Sequence, residues 1–207
     1  MPTKAEQTAR TRAALVAAGR RLFAERGFAD TSTEELVRTA GVTRGALYHH
    51  FRDKRDLFEA VYEDVEAGLA DEVTRSVPFG HAGPLEVLRR GADAFLDACL
   101  DPAVQRIVLL EGPTVLGWER WREIDQRYGL GLVRSILEAA IAAGEVQAGP
   151  VEPLAHVLFG GLVEAAMLLA ASTNPNAVRA QVGEAVRMVL DGLSAAAPGP
   201  GGDRRCP

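Results

Sequence analysis

Apolar residues recur along this chain at three- and four-residue spacing, and almost nowhere at the alternating spacing of a half-buried strand. Over residues 4–26, Leu15, Gly19, Leu22 and Phe23 share one helical face, while Arg10, Arg12, Arg20, Arg21 and Arg26 fall largely elsewhere. Gly27 closes this helix. Two short helical segments follow. Ser32 caps the first, with Glu35 three residues on in the capping-box pattern, and Leu36, Val37 and Ala40 supply its buried face. Gly41 permits a left-handed turn, Val42 plugs the space between the segments, and Thr43 caps the second. A further helix runs from near Asp53 to about Thr74, with a stripe of Leu57, Val61, Val65 and Leu69.

Proline and glycine then punctuate the chain. Pro78-Phe79-Gly80-His81-Ala82-Gly83-Pro84 reads as a linker. Helical stretches follow over 85–100, 103–111, about 117–143, 152–172 and 176–196. The tail, residues 197–207, is rich in Gly and Pro and is expected to be disordered. The pattern predicts an all-α protein. A three-helix head spans 1–52, a larger helical bundle spans 53–196, and helix 53–74 connects them.

Charge sharpens this division. Residues 1–55 hold 11 Lys+Arg against 6 Asp+Glu, a balance of +5, while the remainder carries −10 within the total of −5. A basic head and an acidic body suit a polyanionic partner for the head, although a patchy solvated surface would give the same count. Hydrophobic residues make up 47% and charged residues 25% of the 207, which excludes a mostly disordered chain or a disulfide scaffold. Cys99 and Cys206 are far apart, which suggests a reducing compartment and no structural zinc. The first residues lack the apolar core of a signal peptide, and Leu154 to Ala171 is interrupted by His156 and Glu164, so it reads as a buried helix. The expected location is cytoplasmic.

The strongest chemical signal lies in residues 31–54. A capped helix, a glycine turn and a second helix at this spacing describe a helix-turn-helix. The second helix presents Arg44, Tyr48, His49 and His50 close together. Arginine can bond a guanine edge through two donors, and tyrosine, histidine and lysine suit phosphate oxygens. Gly45 and Ala46 are small enough for close approach to bases, while Leu47 and Phe51 face inward. An ordinary helical hairpin would not need a poorly helical glycine beside such a donor-rich face.

The run Thr31 to Leu57 resembles the DNA-binding region of the tetracycline-repressor (TetR) family. The resemblance rests on Ala40-Gly41-Val42, Gly45, Leu47-Tyr48, His50-Phe51, Lys54 and Leu57, and covers roughly residues 8–60. It implies that Thr33 meets phosphate through its hydroxyl and N–H. It also implies that Thr43, Arg44, Gly45 and Ala46 touch bases or adjacent phosphates, and that Tyr48, His49 and Lys54 clamp phosphates. His50 would lie beside the DNA backbone and sometimes reach a base. One position departs from a basic pattern: Glu34 stands where an arginine can reach a base.

The C-terminal half carries weaker signals. Trp118, Trp121 and Tyr128 share a helix face and either line an effector cavity or form bundle core. Arg106 and Glu111 flank an apolar run and either orient a ligand or pair on the surface. In the last two helices, Leu158, Gly161, Leu162, Ala165 and Leu169, with Val182, Ala185 and Val189, form faces of small and apolar residues. A buried intrachain hairpin fits them, and the family resemblance implies a four-helix dimer interface. No GxSxG elbow, HExxH or phosphate-binding loop is present in the sequence, and His49-His50 make a poor metal pair.

These readings predict a non-enzymatic transcriptional regulator without cofactor or metal. The resemblance implies a homodimeric repressor, released from a palindromic DNA operator by a small apolar or aromatic effector. The alternative is a helix-turn-helix regulator without a small-molecule pocket, governed by a protein partner or by its own concentration.

Overall fold

A computed structural model describes residues 3–77 and 82–194. The predicted linker residues Pro78 to His81, the tail 197–207 and Cys206 lie outside the described residues. The helices are α1 (Lys4–Arg26), α2 (Thr33–Ala40), α3 (Arg44–His50), α4 (Lys54–Ser76) and α5 (Pro84–Ala98). A π-helical segment, Val104–Glu111, leads into α6 (Gly112–Leu116) and α7 (Trp118–Asp125). A second π-helical segment, Gln126–Leu130, runs straight into α8 (Gly131–Ala142). Two long helices follow, α9 (Val151–Ala170) and α10 (Pro175–Asp191). The fold is all-α, as the apolar spacing predicts.

Helix starts follow local chemistry. The Thr3 and Ser32 hydroxyls accept from the N–H of Glu6 and Glu35, and both glutamates return a bond to the cap residue. Thr43 and Asp53 cap α3 and α4. Gly41, at φ 67° and ψ 33°, supplies the left-handed turn between α2 and α3 that a side chain resists.

Two departures from the expected elements have one cause. Residues 103–111, and the middle of the stretch read as one helix over 117–143, take i→i+5 turns. At each π segment a glycine lies tight against a ring. A Cβ on Gly112 would stand 2.5 Å from the Tyr62 ring, and one on Gly129 would overlap the Phe159 ring. The wide turns let these backbones sit against bulky aromatics. Gly129-Leu130-Gly131 is part of this continuous helical run.

One core runs from head to body. Leu15, Phe23, Leu36, Leu47, Leu57 and Phe58 are fully buried, and Phe23, Phe28 and Phe58 pack ring to ring at 5.2–5.9 Å. The α4 stripe Leu57, Val61, Val65 and Leu69 is buried along its length and joins this core to Ile107, Ile124 and Leu169. A second cluster gathers Leu88, Leu137, Leu158, Phe159 and Leu190 where α5, α8, α9 and α10 meet. Among the described residues, α9 is the one helix long and apolar enough to cross a membrane, yet only a third of it is buried. The reading of this stretch as a buried helix therefore holds for one of its faces.

Candidate DNA-binding face and internal cavity

Thr43, Arg44, Gly45, Tyr48 and His49 are exposed on α3, with Thr33, Ala46 and His50 half-buried at its margins. Leu47 and Phe51 point inward and hold the helix on the head core. Nothing inside the protein explains Gly45: a Cβ there would meet only the Thr43 hydroxyl, at 3.9 Å. Glycine in a helix costs roughly 0.5–1 kcal/mol against alanine, so its use at an open position points to an external surface that comes close.

Charge on this face is locally balanced. An Arg44 guanidinium N–H donates to the Glu34 carboxylate at 3.0 Å, and the guanidinium lies over the Tyr48 ring at 5.6 Å from its centre. The Glu34 carboxyl is held below the ordinary carboxylate range by its own backbone N–H, then by Thr33 and Arg44. Partial burial, with the positive charge of His49 and Arg12 nearby, pulls His50 below the ordinary imidazole value.

Lys54 has a different setting from the phosphate clamp that the sequence suggests. Its ammonium donates to the carbonyls of Phe28 (2.7 Å) and Thr31 (2.9 Å), reaches that of Ala29 at 3.5 Å, and lies 4.3 Å from the Phe28 ring centre. All three donors are engaged within the protein. Lys54→Met is expected to lower the stability of the free protein by about 2 kcal/mol, because charged hydrogen bonds to carbonyls are lost. Thermal unfolding without DNA measures this, and an unchanged midpoint would show that the bonds add nothing.

Arg106 and Glu111 both bond to the backbone of the head. Glu111 accepts from the Phe28 N–H at 2.8 Å, and Arg106 donates to the Glu25 carbonyl at 3.0 Å. Gly27, at φ 85°, leaves room for the Glu111 carboxylate where a Cβ would collide with it. The π register turns both side chains outward onto the end of α1. They tie head to body and do not line the cavity described next.

The cavity, about 320 Å³, lies between α4, α5, α7, α8 and α9. Trp118, Trp121 and Tyr128 all border it. Trp118 is 63% exposed and stacks 5.1 Å from Trp121, which is buried, so the pair runs from surface to interior. Most of the remaining wall is apolar, from Leu69, Val73, Phe95, Leu132, Phe159 and Leu162.

Two carboxylates that the sequence reading does not single out interrupt this wall. Glu66 is 6% exposed and Asp125 is 4% exposed. The Tyr62 hydroxyl donates to Glu66 at 3.1 Å, while Asp125 Oδ2 is buried without a hydrogen-bond partner. Burial pushes Glu66 up to about 7, with the Asp125 charge adding to it, and burial pushes Asp125 up to about 6 against the pull of Arg122. A signal is available: Glu66 follows Tyr62 by four residues, and Asp125 follows Trp121 by four, each on an otherwise apolar face.

Next to the cavity, and sharing Leu88 and Leu162 with its wall, α9 and α10 form an apolar groove. Leu158, Gly161, Leu162, Ala165, Val182, Ala185 and Val189 line it, together with Val157 and Leu168. Leu169 faces the core instead and is fully buried. Val157, Leu168, Met188 and Val189 are exposed large apolar side chains on this pair of helices.

The cavity wall is joined to α4 by charge as well as by packing. Arg120 of α7 pairs with Glu59 (2.8 Å) and Glu63 (3.2 Å) of α4, and Arg127 also reaches Glu63 at 3.4 Å.

Comparison with known proteins agrees with this architecture. Residues 85–193 match the tetracyclin repressor-like C-terminal domain, and residues 15–61 match the bacterial regulatory proteins of the tetR family. The HTH-type transcriptional repressor BepR of Brucella suis is 35% identical over 106 residues, 51% of this chain and 50% of that protein. The HTH-type transcriptional regulator AcrR of Shigella flexneri is 35% identical over 111 residues, 53% of this chain and 51% of that protein. These alignments thus span about half the length of the curated relatives. A crystal structure of a TetR-family transcriptional regulator from Pectobacterium atrosepticum is similar over 94% of this chain and 99% of its own, at 34% identity and a TM-score of 0.81. With both halves matched and the fold shared along nearly the whole length, the chain belongs to the TetR family of DNA-binding transcriptional regulators.

Proposed function

We propose that this regulator is a cytoplasmic homodimeric repressor that leaves a palindromic operator when a small hydrophobic effector fills the cavity. One observation carries the reading: α4 spans both sites. Its first residue, Lys54, holds the α1–α2 loop of the head, and Glu66 stands in the cavity wall three turns on. The head would comprise residues 1–52, and residues 53–196 the regulatory body. An occupant that prefers one position of α7 would pass that preference to α4 through Arg120 and Arg127, and α4 would reposition the head. That is a population shift, and its size is limited by the ligand's preference between the two states.

Two heads related by a dimer axis would read a symmetric site at a spacing of whole duplex turns. The α9–α10 groove supports the pairing, because exposed apolar side chains of both helices line it. On the DNA side, Thr43, Arg44, Gly45 and Ala46 would read bases or adjacent phosphates. Thr33, Tyr48, His49 and His50 would position the helix on the backbone. Selection of bound duplexes from a random pool tests the whole reading. An inverted repeat is the expected product, and an unstructured or single-site consensus would overturn it.

Gly45→Val separates folding from reading. The position is open, so the free protein should keep its helical content, with stability within about 1 kcal/mol. A branched side chain would instead hold α3 away from the bases, and operator affinity should drop by about tenfold or more. Circular dichroism and a DNA-binding titration measure the two effects. Retained affinity would remove Gly45 from the contact surface.

A further inference from the structure

We propose that the cavity takes a hydrophobic organic cation, with its positive nitrogen seated between the Glu66 and Asp125 carboxylates and its apolar body against Trp121, Tyr128 and Phe159. The inference rests on the reading of this cavity as the effector site and adds the chemical class of the occupant.

The argument begins from cost. Removing a carboxylate from water is expensive unless a positive charge or several donors replace the solvent. Glu66 and Asp125 are both nearly inaccessible, and neither forms an ion pair with any lysine or arginine among the described residues. Glu66 receives one bond, from the neutral Tyr62 hydroxyl, and Asp125 Oδ2 receives none. Arg122, the nearest cation to Asp125 in its own helix, lies over the Trp118 ring at 5.0 Å. Two acids facing one apolar space, neither held in an ion pair among the described residues, leave a place for a cation brought from outside.

The rest of the wall suits the same occupant. Aromatic faces attract a cation held within about 6 Å of the ring centre, and the attraction grows when water is excluded. Apolar side chains of α5, α8 and α9 would bury a flat or aliphatic body. A neutral molecule of the same shape would leave both acids unpaired, and an anion would be repelled. Protonation offers a second diagnostic. Around Glu66 and Asp125 stand Tyr62, Cys99 and Arg122, and burial pushes the Tyr62 hydroxyl and the Cys99 thiol upward, so these two stay neutral at physiological pH. The two carboxyls are then the groups that titrate between about pH 5.5 and 8. A permanent cation binds their ionised forms, so its affinity rises through that window.

The test is calorimetric titration of the full-length protein with three probes of one shape. These are 1-naphthylmethyl-trimethylammonium, its uncharged carbon isostere 1-neopentylnaphthalene, and the anion 1-naphthylacetate. The ammonium is expected to bind about tenfold or more tighter than the isostere, with the anion weakest. Asp125→Asn and Glu66→Gln should each weaken the ammonium by about tenfold and leave the isostere within about twofold, which also shows that the cavity is intact. Wild-type affinity for the ammonium should climb from about pH 5.5 to 8 and level off. An isostere that binds as tightly as the ammonium would overturn the charge assignment while leaving the cavity as an effector site. Ammonium affinity that ignores both substitutions would overturn the assignment in the same way. If none of the three binds, the effector-site reading falls with it.

Discussion

Leu168→Glu is expected to convert the proposed dimer to monomers and to cut operator affinity by about a hundredfold or more. Leu168 is 55% exposed on the single chain and lines the α9–α10 groove, so a glutamate there is tolerated by the protomer. At a twofold interface the substitution occurs twice. Each carboxylate would lose its water without gaining a partner, at about 2 kcal/mol or more per copy. The dimer dissociation constant should rise by on the order of a thousandfold. A monomer keeps one head and forfeits the linked second contact. Sedimentation equilibrium across a range of concentrations, with circular dichroism as a check on folding, decides the matter. An intact dimer would place the interface elsewhere. Ala165, on the same helix, is a poorer probe because it is buried within its own chain, and a charge there would disturb the fold as well.

Glu66→Gln is expected to make the free protein more stable at pH 8 and to change little near pH 4.5. In the folded chain burial raises the carboxyl from its ordinary 4.5 to about 7. Below the ordinary value the group is protonated in folded and unfolded chains alike, and nothing is lost. As pH rises through the folded value, the native state has to hold a buried charge that the unfolded chain leaves in water, and stability falls. A shift of this size corresponds to about 3 kcal/mol at alkaline pH, or on the order of 5–10 °C in the melting midpoint. Glutamine keeps an oxygen for the Tyr62 hydroxyl and carries no charge. Melting curves from pH 4.5 to 8 for both proteins should therefore diverge toward the alkaline end. Parallel curves would show that the Glu66 charge costs the native state nothing.

The two halves of the chain differ in how much their sequence discloses. The head is legible because its elements are set by neighbours in sequence. Ser32 with Glu35, Gly41 at the turn, and the α4 stripe of Leu57, Val61, Val65 and Leu69 act over one to four residues. What stays hidden depends on distance. Lys54 reads as a free cation until the carbonyls of Phe28 and Thr31, more than twenty residues earlier, are seen around it. Arg106 and Glu111 sit in a π segment whose i→i+5 register has no sequence signature, so an α-helical spacing misplaces their face by a fraction of a turn. Glu66 and Asp125 escape notice because a charged residue in an amphipathic helix is ordinarily solvent-facing. Their apolar neighbours four residues away argue otherwise. Trp118, Trp121 and Tyr128 can be placed on one face from spacing alone, but whether that face meets a cavity or packed core depends on α5, α8 and α9.

The apolar face of α9 has a consequence for the life of the newly made chain. This helix has the length and composition that a lipid bilayer accepts, and two thirds of it lies outside the protomer's own core. In the dimer proposed above, a second copy would cover this face, and an unpaired chain would leave it open to other apolar surfaces. Because pairing of two copies depends on concentration, the number of such dimers would rise more steeply than the number of chains made.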